Sequence, residues 1–246
     1  MSKNDNNILP KVRRFSKYRI AEHWVHVVMF VMLIVTGLSQ TYYYLELSQW
    51  FVLKLGGIDR VRMVHRATGV GFSVLLIVHI FAAVTGLLTR KWGPDMLISI
   101  KDFKDAAHNI RFYFGLETRP ARCGRYTYKQ KFEYWAIFLG VIFMASSGYL
   151  LMYPIRATAY LPGEVIPMAK ALHSNEAIVM ILIISIWHIY NAVFSPEVFP
   201  IDRSIFTGYI SRRRMIREHP MELEKEDAVG ENNEEGMISE KVIRGV

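Results

Sequence analysis

VRMVHRATGVGFSVLLIVHIFAAVTGLLTR, residues 61–90, contains no Asp, Glu, Lys or Arg from Gly69 to Leu88. A membrane-crossing helix needs about 20 predominantly apolar residues. In hydrocarbon every backbone N–H and C=O must be paired within the protein, so such a run is read as a helix. The stretch also carries two histidines, His65 and His79, 14 residues apart. At about 1.5 Å rise per residue they lie about 21 Å apart along the axis, most of a core about 30 Å thick. Fourteen steps of about 100° leave them about 40° apart, on roughly one face. Ionisable groups at membrane depth are costly, and they mark function.

Three further stretches repeat the pattern. The sequence predicts an all-α integral membrane four-helix bundle with helices at about 21–40, 63–89, 132–153 and 170–194. His173 and His188, 15 apart on the fourth, fall about 60° from each other. A π-bulge there would take up the extra residue. The first helix opens with His23 and His26. Neutral imidazoles at two depths suit two haems, one near each membrane face.

Lysines and arginines set the topology. They crowd the segment before the first helix, the loop at 91–131 and the segment after the fourth helix; the other two loops are sparse. By the positive-inside rule both termini and the middle loop are cytoplasmic. This asymmetry accounts for the net charge of +8 without invoking nucleic acid. The chain divides into a basic arm (1–20), the four-helix domain (21–200) and a tail (201–246) that turns acidic from Met221 and reads as solvated or partner-bound. Ile98–Phe114 mixes apolar and charged residues, as a helix lying on the membrane surface does. No small-residue cleavage site follows the first apolar run, which is expected to stay as an anchor. Cys123, the one cysteine, excludes an internal disulfide and a cysteine-held cluster, and the absence of CxxCH excludes covalent haem. No internal repeat stands out.

Depth then sorts the histidines. The outer level offers one natural pair, His65 with His173. The inner level offers four candidates, His23, His26, His79 and His188. Gly37, 14 residues after His23, together with Gly69 and Gly148, would let a haem ring approach the helices, a role that competes with plain helix packing. Arg62, one turn before His65, would face a propionate or anchor the helix at the interface. His108 and His219 lie outside the spans and receive no role.

These residues are familiar in combination. RIAEHW at 19–24 with TGLS at 36–39, VRMVHRATGVG at 61–71, GRYTYKQKFEYWAIFLGVIFMASSGYLLMYP at 124–154, ALHSNEAIV at 171–179 and WHIYNAVF at 187–194 resemble the gamma, cytochrome b, subunit of membrane-bound formate dehydrogenase-N. That family is related to the cytochrome b subunits of nickel–iron hydrogenases. The resemblance implies two b haems, the outer held by His65 and His173 and the inner by His23 and His188, with His79 as the alternative inner ligand. It implies menaquinone near the inner haem, with His26, His79 and Gly93 as candidates for its site. It also implies an iron–sulfur subunit and a periplasmic catalytic dehydrogenase as partners, and a place in the bacterial inner membrane. Protons for the quinone would come from the cytoplasm. A hydrogenase or another periplasmic oxidoreductase is the alternative upstream partner, and a cofactor-free anchor or transporter the remaining one.

Overall fold

The computed structural model describes residues 11–196 and 198–225, together with Ala228. The described residues form two compact units, one built from residues 16–92 and 133–202, the other from residues 11–15, 93–132 and 203–225.

The first unit contains the apolar helices. These are α1 (Lys17–Thr41), α3 (Ile58–Leu88), α5 (Tyr128–Met152) and α7 (Val165–Phe194), each long and apolar enough to cross a membrane. They begin four or five residues earlier than the apolar runs suggest. Hydropathy marks only the part that suits hydrocarbon, whereas a helix continues into its charged first turn as long as a cap is present. Ser16 caps α1 by accepting from the Arg19 N–H at 3.3 Å. Gly57, at φ 104°, starts α3 from a backbone conformation that only glycine adopts readily. Two short helices, α2 (Glu46–Lys54) and α6 (Pro154–Thr158), fill the connections, and α6 carries its proline at the first turn, where no N–H is needed.

The spans are apolar outside and small or polar inside. Ile77 and Phe81 are exposed, while Thr36, Ser39, Thr68, Gly86, Gly140 and Ser147 are buried within the helices. Hydrocarbon gives two apolar helix faces no reason to meet, so contact falls to small residues that let backbones approach. The fourth span is α-helical over Val165–Leu182 and then π-wound over Ile183–His188 and Tyr190–Phe194. The 15-residue spacing of its histidines is absorbed as the sequence suggests.

In the second unit β1 (Lys11–Arg13) pairs antiparallel with β2 (Tyr209–Ser211), a small sheet that the all-α pattern does not foretell. α4 (Ile100–Tyr113) is helical within the stretch Ile98–Phe114, started by a capping box of Ser99 and Asp102. Burial pushes the Asp102 carboxyl up, but Lys131 and Ser99 outweigh it and hold it below the usual carboxylate range. Helices α8 (Ser204–Thr207) and α9 (Arg212–Glu218) complete the unit around Ile210, Met215 and Leu223.

The start of the tail corrects the expectation of a solvated segment from Met221. Glu222 is buried and pairs with both Arg14 and Arg125 at 2.5 Å, and Leu223 is in the core. Buried Arg14, with the half-exposed Arg125 beside it, gives this acidic residue a reason to fold in. Next to them His219 is 1% exposed and donates from Nδ1 to the Gly124 carbonyl at 2.8 Å; burial and then Arg14 push its pKa down to about 4. The rest of the acidic tail, Ala228 apart, lies outside the described residues. Cys123 is buried and its thiol is pushed up by that burial, so it stays protonated and inert.

Candidate functional site

Both members of the pair expected at the outer level sit near the start of a span. His65 on α3 and His173 on α7 have ring centroids 6.3 Å apart. Each ring is fixed from behind. The Thr36 hydroxyl gives its proton to the Met32 carbonyl at 2.6 Å and lies 2.9 Å from His65 Nδ1. With that proton committed, the hydroxyl oxygen accepts and Nδ1 carries the hydrogen. Ser147 repeats the arrangement, donating to the Phe143 carbonyl at 2.7 Å and lying 3.0 Å from His173 Nδ1. In both cases Nε2 is then the nitrogen that keeps a lone pair. Fixing the tautomer through the other nitrogen is how metal-binding imidazoles are oriented.

Gly37 and Gly148 lie against these rings. A Cβ on either would stand 3.2 Å from the imidazole Cε1 of His65 or His173. Each glycine therefore makes room for an imidazole. Gly69 is looser, with Leu33 at 4.0 Å from such a Cβ. Arg62 pairs with Asp59 at 3.5 Å on the exposed side of α3.

At the other end of the spans His23 and His188 have centroids 6.1 Å apart, tilted by 47°. His188 Nδ1 donates to the carboxylate of Glu133. His79 takes no part in that pair. Its Nδ1 donates to Glu22 at 2.7 Å and its Nε2 meets the Tyr134 hydroxyl at 2.9 Å, so both nitrogens are engaged by protein groups. His26 bonds through Nδ1 to its own helix, at the Glu22 carbonyl 2.8 Å away, and packs edge-on against Phe72. Gly93 lies in the other unit, where a Cβ would stand 2.7 Å from Asp95.

Two imidazoles bonded to one metal at about 2 Å each place their ring centroids about 6 Å apart. Both pairs have this spacing, and the residues fit a b-type haem held by two histidines. The sequence-based search missed Thr36, Ser147, Glu22, Glu133 and Tyr134. A signal was present, since Glu22 and Glu133 are carboxylates within spanning helices, where an unpaired charge is rarely tolerated.

Comparison with known proteins identifies the family. The family model for prokaryotic cytochrome b561 matches residues 14–208. The nitrate-inducible formate dehydrogenase cytochrome b556(Fdn) subunit of Escherichia coli K12 is 25% identical over 215 residues, covering 86% of this chain and 91% of the relative. The cytochrome b556(fdo) subunit of formate dehydrogenase from the same strain is 26% identical over 207 residues, 84% and 89% of the two chains. The formate dehydrogenase cytochrome b556 subunit of Haemophilus influenzae is 26% identical over 217 residues, 88% and 82%. With four apolar spans and a family match over most of its length, the chain belongs to the prokaryotic cytochrome b561 family, integral membrane proteins that carry electrons on haem b.

Proposed function

We propose that this chain is the dihaem membrane subunit of a formate dehydrogenase-type complex, passing electrons from an outer iron–sulfur partner and its catalytic dehydrogenase to menaquinone at the inner face. In this reading His65 and His173 hold the outer haem, His23 and His188 hold the inner one, and both termini face the cytoplasm. The observation that carries it is the pair of imidazole spacings, 6.3 and 6.1 Å, at opposite ends of the spans, with the fourth span contributing a histidine to each. The relatives named for formate dehydrogenase support the choice of upstream partner.

Bound haem supplies a reversible one-electron change at iron, and the chain supplies the rest. Thr36 and Ser147 hold the outer imidazoles as Nδ1–H donors, while Glu133 does the same for His188 with a carboxylate. The inner imidazole therefore leans on a charged partner where the outer ones lean on neutral hydroxyls. His79 has no nitrogen to offer, which favours His23 as the inner partner. His26, anchored through Nδ1 and presented beside the inner pair in sequence, is the residue we assign to the quinone headgroup.

The test is haem content of the purified chain by pyridine haemochrome, with His23→Ala, His79→Ala, His65→Ala and His188→Ala beside it. Two haems per chain are expected, with one lost in every variant except His79→Ala. A folded, unmutated chain with no haem defeats the proposal, and loss in His79→Ala instead of His23→Ala moves the inner ligand to α3.

A further inference from the structure

Helices α1 and α5 have the same length, and every residue of α5 lies 111 positions after its counterpart in α1. In that register Arg14, Glu22, Trp24, Gly37 and Tyr42 coincide with Arg125, Glu133, Trp135, Gly148 and Tyr153, and Thr36 coincides with Ser147. The coincidence extends to what these residues do. Ser16 and Thr127 both accept from the N–H three residues on, at 3.3 Å. Thr36 and Ser147 both hold an outer histidine, and Gly37 and Gly148 both lie 3.2 Å, by way of an added Cβ, from its ring. Glu22 and Glu133 both accept from Nδ1 of an inner histidine, His79 and His188. These matches relate α1 with α3 to α5 with α7 as two similar helix pairs, a relation hard to see in the sequence because only scattered positions are identical.

This relation sorts the two levels. His65 and His173 are each other's counterparts, so the outer pair is a single self-equivalent site. The inner pair is not. The counterpart of His188 is His79, and the counterpart of His23 is Tyr134. The two inner pairs match in geometry: His23 and His188 have centroids 6.1 Å apart at 47°, and Tyr134 and His79 have centroids 6.0 Å apart at 46°. The difference is chemical. The Tyr134 hydroxyl lies 2.9 Å from His79 Nε2, a direct hydrogen bond. A metal between two ligand atoms at about 2 Å each needs them about 4 Å apart. We infer that Glu22, His79 and Tyr134 form a second inner haem seat, equivalent to the one at Glu133, His188 and His23, which the tyrosine closes. One residue type, His or Tyr, at position 23 against position 134 decides on which side of the bundle the inner haem is held.

The inference rests on the dihaem proposal, and its test separates the two. His23→Tyr alone removes the inner haem and leaves one per chain. His23→Tyr combined with Tyr134→His moves the inner seat to the other side and restores two haems per chain by pyridine haemochrome. Adding His79→Ala to that double variant returns the count to one, whereas the same substitution in the unmutated chain leaves it at two. An independent route leaves His23 in place: His188→Ala with Tyr134→His is also expected to hold two haems. One haem, or none, in both combinations overturns the inference, since equivalence requires the new seat to work without disturbing the outer pair. Fewer than two haems in the unmutated chain would defeat the dihaem proposal instead.

Discussion

His65 and His173 lean on hydroxyls and rest on glycines, whereas His188 is held by a carboxylate and faces a histidine that has a rival one helix away. The outer level uses one solution twice: a Thr–Gly and a Ser–Gly at the same height on α1 and α5, each fixing the first histidine of the next span. The inner level has to choose. Two carboxylates and two second-helix histidines are present, but only one of them meets a second imidazole. Where equivalent positions meet each other, small residues and hydrogen bonds are enough. Where they meet different neighbours, a single side chain sets the asymmetry.

The largest expected effect falls on the outer level through its glycines. Gly37→Leu or Gly148→Leu places branched carbon where a Cβ alone already stands 3.2 Å from the imidazole. The neighbour is an oriented ring on a rigid helix, and overpacking forces it off its rotamer. On the dihaem proposal, each variant is expected to lose the haem held by His65 and His173, reducing two haems per chain to one. If the inner haem were lost instead, the assignment of these glycines to the outer level would be wrong.

The same contrast explains what could be read from the chain. The four spans were legible because apolar runs of this length have few alternatives, and the outer pair was legible because a histidine near the start of each second span has no competitor. The π-winding was legible too, from 15 residues where 14 would keep one face. The inner pair was not legible from depth and spacing, and only the family resemblance singled out His23 with His188. His23, His26, His79 and His188 share one depth, and only the contacts of Glu22 and Tyr134 show that both nitrogens of His79 are engaged. Gly37 and Gly148 read as room for a haem ring because the sequence does not show which ring comes near. The buried role of Glu222 was hidden by composition, since an acidic segment reads as solvated until the buried Arg14 and its neighbour Arg125 are seen to pair with it.

A smaller effect is expected from Glu133→Gln. The amide keeps the shape and still accepts from His188 Nδ1, but a charge-assisted bond becomes a neutral one of roughly half the strength. Partners of this kind typically contribute about 10–100-fold in metal affinity. The variant is expected to weaken inner haem retention within that range and to raise the potential of that haem, because the oxidised metal loses the carboxylate's support. Redox titration followed in the haem absorption bands separates the two levels. An unchanged inner potential would mean that the carboxylate positions the ring without tuning it.

The smallest effect belongs to Thr36→Val and Ser147→Ala. Each hydroxyl spends its proton on a backbone carbonyl of its own helix, so its removal costs the histidine one neutral acceptor and nothing charged. A neutral hydrogen bond contributes about 0.5–1.5 kcal/mol net, which is about 2–10-fold in haem retention. The two substitutions lie on equivalent positions of one site, so each should weaken the outer haem by a similar factor. Because both act on a single iron, the double variant should fall short of or exceed the product of the two, as neighbours in one network do. The measurement is the rate of haem loss to an acceptor protein for the two single variants and the double. Unequal single effects would show that the outer level is less symmetric than its geometry, and would shift the comparison between the levels from kind to degree.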